Sequence, residues 1–422
     1  MPRPAALLRQ LHLPDLPAAV LIGLLGAAAV SGFHLALNAL EHLLTGMSGS
    51  LVGIARQLPA WQRAALPAVG GLLAGLVLQH GLRLARGSAG GDYLEAVRVG
   101  DGRLGLRTVL IKCLSSLCTV ASGGSIGREG AMVSLAALGG SLLARRPRLS
   151  LPRRRLLVAC GIAAGWSAAY HAPLAGVLFV CQVVRPRRRW RGLPPLIVAS
   201  AVASLASGAW FKLPAIYHVP PLPALTTTAL LAYCLVACAL GLLAPWFLQA
   251  MNAARRAFAA IGLTLPTRMA LGGLIVGSLA WFWPEMWGNG YSTVSALLTA
   301  APLWQTLLAL LLCKLLATAA TSGSGAVGGI FTPMLFVGAA GGALIGLSLN
   351  ALWPGAAPLA GVIVTGMAAF LAATAQAPWL AVVMMLEMTA SFGLAAPLLL
   401  ASWLAARLSR RLLGGRALYD GR

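Results

Sequence analysis

Apolar runs fall near residues 17–40, 64–81, 106–120, 130–144, 156–181, 192–210, 224–253, 267–283, 303–320, 330–352, 356–386 and 393–406, with short polar or Gly-rich breaks between them. Runs of this length predict helices that cross a bilayer, since a straight span needs roughly 20 apolar residues. Several runs are shorter than that, and many are interrupted by Gly or Pro. Tilted, re-entrant or half-membrane helices follow, which a membrane tolerates where protein or a watery cavity surrounds them. The pattern predicts an all-α integral membrane protein, a bundle of many helices.

No Pro/Ser-rich linker or long polar segment interrupts the pattern, so residues 1–422 are expected to form a single transmembrane domain without a soluble regulatory domain. The two most Gly-dense breaks, at residues 123–130 and 322–329, lie one in each half of the chain. Interrupted segments at corresponding positions are the mark of inverted-topology halves that meet near the midplane. The Pro-rich stretch Pro220–Pro223 is the expected divide, giving halves of about 1–215 and 220–422.

Composition agrees with a membrane solvent: 59% of residues are hydrophobic and 10% charged, with 49 glycines. The net charge of +23 would suggest nucleic acid in a soluble chain. Here the arginines cluster in short loops, at residues 145–155, 185–191 and 407–416, and form no continuous stripe. That excludes nucleic acid as the expected partner and predicts cytoplasmic loops, with both termini cytoplasmic, by the positive-inside rule. Residues 3–14 read as an interfacial helix ahead of a retained span, because the apolar run that follows is too long for a signal peptide. The seven cysteines lie in apolar segments without CxxC spacing and read as small hydrophobes. No metal or other cofactor is expected.

Glu129 stands out as a carboxylate set among glycines in Gly123-Gly124-Ser125-Ile126-Gly127-Arg128-Glu129-Gly130, between two apolar runs. An ionised side chain at membrane depth costs several kcal/mol and is a functional-site hypothesis by default. Two further breaks, Gly87-Ser88-Ala89-Gly90-Gly91 and Gly328-Gly329-Ile330-Phe331-Thr332-Pro333, also precede predicted helices. Helix N-termini present free N–H groups and the positive end of the macrodipole, so three of them converging would hold one dehydrated anion. With no full positive charge buried, the anion is free to leave, as conduction requires.

These residues resemble the CLC family of chloride channels and chloride/proton exchangers. Gly127-Arg128-Glu129-Gly130 resembles the family's gating-glutamate motif, Gly87-Ser88 its serine anion ligand, and Gly328 to Pro333 its third signature. His171-Ala172-Pro173-Leu174-Ala175-Gly176 and Glu387-Met388-Thr389 match further stretches in family order, and the short form resembles the bacterial ClcB-type branch. The resemblance implies a CLC-type fold, a homodimer in a bacterial inner membrane, and chloride as the transported ligand. Glu129 would be the gate: its carboxylate mimics the anion it competes with, so protonation relieves the competition and couples opening to protons. Chloride would be bound by Ser88, by Gly127, Arg128 and Gly130 around the gate, and by the backbone N–H groups of Ile330 and Phe331.

The chain also departs from the family. Gln182 and Val183 stand where many exchangers carry adjacent glutamates, the second of which passes protons from inside. Phe392 is expected at the chloride site in place of a tyrosine, so one hydroxyl donor would be missing. The losses at 182 and 183 favour a passive chloride channel gated by Glu129, with proton-coupled chloride exchange as the alternative. An intramembrane enzyme or a scaffold without transport is more remote, since no HExxH pairing occurs.

Overall fold

The computed structural model describes residues 15–85, 90, 92–146, 149–184, 192–211, 216–300 and 302–413. The segment expected as an interfacial helix, 3–14, lies outside them. In chain order the helices are α1 (Leu16–Thr45), α2 (Leu51–Gln57), α3 (Ala60–Leu84), α4 (Tyr93–Arg98), α5 (Leu106–Ala121), α6 (Glu129–Leu143), α7 (Leu151–Tyr170) and α8 (Pro173–Phe179), the last continuing as a π-turn over Val180–Val184. After α9 (Leu193–Phe211) come α10 (Thr227–Ala260), α11 (Leu265–Phe282), α12 (Tyr291–Thr299), α13 (Trp304–Gly323), α14 (Phe331–Leu352), α15 (Leu359–Ala375), α16 (Pro378–Thr389) and α17 (Ala395–Leu413). Among the described residues seven helices are long and apolar enough to cross a membrane, and five shorter apolar helices accompany them.

Two runs expected as single elements are each split in two. Residues 156–181 divide between α7 and α8, and 356–386 between α15 and α16. The cause is the same in both: His171 (φ 50°) and Gln376 (φ 53°) end their helices in the left-handed region. Ala172 and Ala377 are then forced towards extended backbone by the proline that follows. Pro173 and Pro378 open the next helix, where their missing N–H has no partner to lose.

That shared detail reflects a repeat that runs through the bundle. Gly70, Gly71, Gly75, Ser122 and Gly127 recur in register as Gly272, Gly273, Gly277, Ser324 and Gly329. A Cβ at Gly273 would lie 1.9 Å from the carbonyl oxygen of Pro67, and one at Gly277 1.8 Å from that of Ala64. Reciprocally, Gly71 faces the Met269 carbonyl at 2.3 Å and Gly75 faces Pro266 at 2.5 Å. Helices α3 and α11 therefore cross antiparallel about a pseudo-two-fold axis, and glycine lets their backbones touch where lipid supplies no hydrophobic drive for association.

The short helices α8 and α16 obey the same symmetry. Glu387 near the end of α16 accepts hydrogen bonds from the Leu174 and Ala175 N–H groups at the start of α8, at 2.9 and 2.8 Å. Gln182 after α8 accepts one from the Leu380 N–H at the start of α16, at 3.0 Å. Each helix thus caps the other, which requires them to run antiparallel, and the halves are inverted relative to one another.

Candidate functional site

Helix α5 ends at Ala121, and Gly123 turns the chain with φ 93°, a conformation glycine adopts without steric cost. A side chain there would strike the Trp287 ring, 2.3 Å from the Cβ position. The chain then passes through Gly127 and starts α6 at Glu129. In the other half it passes through Gly329 and starts α14 at Phe331. The two breaks are joined by an isolated antiparallel bridge: Gly127 donates to the Gly329 carbonyl at 2.7 Å, and Gly329 donates to the Gly127 carbonyl at 2.8 Å. The N-cap positions, Arg128 and Ile330, carry no side-chain cap. Two helix N-termini, with the unpaired N–H groups of their first turns, are thereby pinned side by side.

Glu129 is 5% exposed. Its Oε1 accepts hydrogen bonds from the Thr332 hydroxyl at 2.6 Å and from Asn289 Nδ2 at 2.9 Å. The Tyr170 hydroxyl lies 3.2 Å from that of Thr332 and extends the chain of polar groups. Oε2 has no hydrogen-bond partner among the described residues and sits 2.0 Å from where a Cβ on Gly127 would be. The carboxylate folds back over Gly127, and glycine there is a steric requirement. No ion pair with Arg128 is present among the described residues.

Asn289 is held by what precedes it. Lys314, fully buried on α13, points its ammonium at the carbonyl oxygens of Glu285, Met286, Trp287 and Gly288, at 3.0, 3.1, 3.4 and 2.8 Å. A buried ammonium without a carboxylate partner is thus satisfied by a ring of backbone dipoles. The loop leading into Asn289 is clamped, and so is the donor it presents to Glu129.

Two cavities approach this carboxylate. A wide one, about 450 Å³, is bordered by Glu41, Arg128, His171, Asn289 and Thr332 as well as Glu129. A narrow one, about 130 Å³, is bordered by Asp92, Lys112, Gly130, Ile330 and Phe331, again with Glu129. Among the described residues, Glu129 is the single one common to both linings.

Of the residues singled out in the sequence, Gly127, Arg128, Glu129, Gly130, Ile330 and Phe331 come together here, and Ser88 lies outside the described residues. Three others fall elsewhere. Gln182 and the buried Val183 border neither cavity. The Gln182 amide caps α16, and the Val183 carbonyl accepts from Arg98 at 2.6 Å. Phe392 is 68% exposed and lines a separate cavity beside the Pro220–Pro223 loop, away from Glu129. The Gly127 N–H is donated to the Gly329 carbonyl. Asn289, Thr332, Tyr170 and Lys112 were not anticipated. Lys112 carries the signal that marked Glu129, a charge within an apolar run. Thr332 sits inside the Gly328–Pro333 signature beside Phe331, while the neutral Asn289 and Tyr170 carry no signal.

Residues 70–410 match the family described as voltage gated chloride channel. The chain belongs to that family. Over 386 residues, 90% of each chain, this CLC protein is 48% identical to a ClcB-like chloride channel protein of Ralstonia nicotianae. Over 403 residues, 93% of this chain and 95% of the relative, it is 44% identical to the voltage-gated ClC-type chloride channel ClcB of Escherichia coli. Its fold matches a slow cyanobacterial Cl−/H+ antiporter with a TM-score of 0.85 at 24% identity, covering 97% of both chains. A CLC-type fluoride/proton antiporter matches at 0.79 and 22% identity, covering 96% of this chain and 97% of the other. The CLC architecture and a multi-pass membrane location follow.

Proposed function

We propose that this protein moves chloride across a bacterial inner membrane in exchange for protons, with Glu129 as the gate. The observation that carries this reading is the position of Glu129 as the one side chain shared by the two cavities. With its carboxylate over Gly127 the cavities are separated. Protonation removes the charge that the α6 and α14 N-termini hold, the side chain leaves towards the wide cavity, and an anion takes its place. The N–H groups of Gly130, Ile330 and Phe331 then face the anion, with Ser88 adding a hydroxyl donor. One site that accepts either the carboxylate or the anion, and not both, ties anion movement to proton movement.

The two solved structures of like fold are proton-coupled antiporters, which supports exchange over the passive channel that Gln182 and Val183 lead one to expect. The channel is the second reading, favoured by the names of the curated relatives. A chloride gradient imposed on sealed vesicles containing the purified protein separates them. Uphill proton movement is the expected result, and chloride dissipation without it assigns the channel. In the same vesicles Glu129→Gln is expected to give chloride flux that no longer changes with pH, and retained pH dependence removes the gate assignment. Cytoplasmic termini and a homodimer belong to this reading, and the mass of the protein in detergent tests the latter.

A further inference from the structure

We infer that Asp92 is the residue that hands protons to Glu129 from the narrow cavity, in place of the glutamate that position 183 lacks. This rests on the exchange reading above. Asp92 and Glu129 border the same cavity of about 130 Å³, room for a few water molecules at about 30 Å³ each. Among the described residues the other titratable groups bordering it are Tyr93 and Lys112, and the rest of its described lining is apolar, glycine or hydroxyl. Gln182 and Val183 are absent from that lining and carry no titrating proton.

Asp92 is set in place by its own sequence. It is the N-cap of α4, and its Oδ1 accepts the Leu94 N–H at 2.8 Å. Helix α4 is in turn tied to the π-turn through the Arg98 bond to the Val183 carbonyl. Asp92 therefore belongs to the same end of the molecule as position 183 and lies on an element bound to it. Glu95, on the same helix, is exposed and outside the cavity lining. In the transfer, the carboxyl O–H of Asp92 breaks, a cavity water relays the proton, and an O–H forms on Glu129. Asp92 regains its proton from solvent on its own side. Lys112, facing the same space, attracts the counter-moving anion.

The test reconstitutes the full chain in liposomes and records chloride and proton fluxes together under a chloride gradient. Asn at position 92 keeps the oxygen that caps Leu94, so Asp92→Asn is expected to preserve the fold, and chloride still passes because Glu129 also meets protons from the wide cavity. Proton flux is expected to fall roughly a hundredfold or more, the lower end of what a positioned acid contributes, lowering the H+/Cl− ratio. Asp92→Glu is expected to restore the ratio. A wild-type ratio in Asp92→Asn overturns the assignment while leaving exchange intact, as does a chloride flux that falls in parallel with the protons. Absence of proton movement in the wild type overturns exchange itself and this inference with it.

Discussion

Glu129 is held by two donors on one oxygen and none on the other, an asymmetry that prepares it to leave. Hydrogen bonds to a charged group contribute about 1.5–3 kcal/mol each, and both of these must break when the side chain moves. Thr332→Val removes the 2.6 Å bond while keeping the shape of the side chain. Chloride flux at neutral pH is expected to rise by about tenfold, the equivalent of 1.4 kcal/mol, and a flux assay in vesicles checks it. A fall in flux would mean that the Thr332 hydroxyl serves the anion more than the gate. The carboxylate and its glycine neighbours were legible in the sequence because a charge between apolar runs is conspicuous. Asn289 was not, because it lies 160 residues away and carries no charge to betray it, and Thr332, though inside the Gly328–Pro333 signature, gave no sign that its hydroxyl meets a carboxylate 203 residues away.

Lys314 and Gln182 act at the scale of the element. Replacing Lys314 with Met leaves four carbonyl groups without their ammonium and frees the loop before Asn289. The protein is expected to lose about 3 kcal/mol or more, seen in thermal unfolding, and its chloride flux to become less dependent on pH. Gln182→Ala is a contrasting case. Loss of a cap costs about 1 kcal/mol, so the unfolding midpoint is expected to fall while the H+/Cl− ratio stays at the wild-type value. A changed ratio would return Gln182 to the proton path. From the sequence, Gln182 and Val183 could be placed only by the glutamates they replace. Their positive roles depend on which helix ends meet, and chain order does not reveal that. Helix centres were legible from the apolar runs, but the splits at His171 and Gln376 needed backbone geometry. The expectation for Phe392 failed for a related reason: its position along the chain said nothing of the side from which α17 approaches.

Across the whole molecule, the pseudo-two-fold axis passes through the α3–α11 crossing and the Gly127–Gly329 bridge. The repeat was visible as a faint echo of Gly-rich breaks, and its register emerged only once the contacts showed which glycines answer each other. Gly277→Leu is expected to force α3 and α11 apart, since even a Cβ lies 1.8 Å from the Ala64 carbonyl. Overpacking costs typically about 1–3 kcal/mol, and more against rigid backbone. Lower yield and a lower unfolding temperature are expected, and wild-type thermal stability would refute the crossing. The bridge also bears on how the protein is made. Among the described residues both partners of the Glu129 carboxylate, Asn289 and Thr332, and the Gly329 side of the bridge that braces its loop belong to the second half. At ribosomal speeds of about 5–20 residues per second, Thr332 emerges roughly 10–40 s after Glu129. During that interval the Glu129 carboxylate lacks the Thr332 hydroxyl that holds it in the folded protein. A chain that stops short of Thr332 never makes the 2.6 Å hydrogen bond to Glu129, so its buried carboxylate is held by one donor fewer than in the full protein.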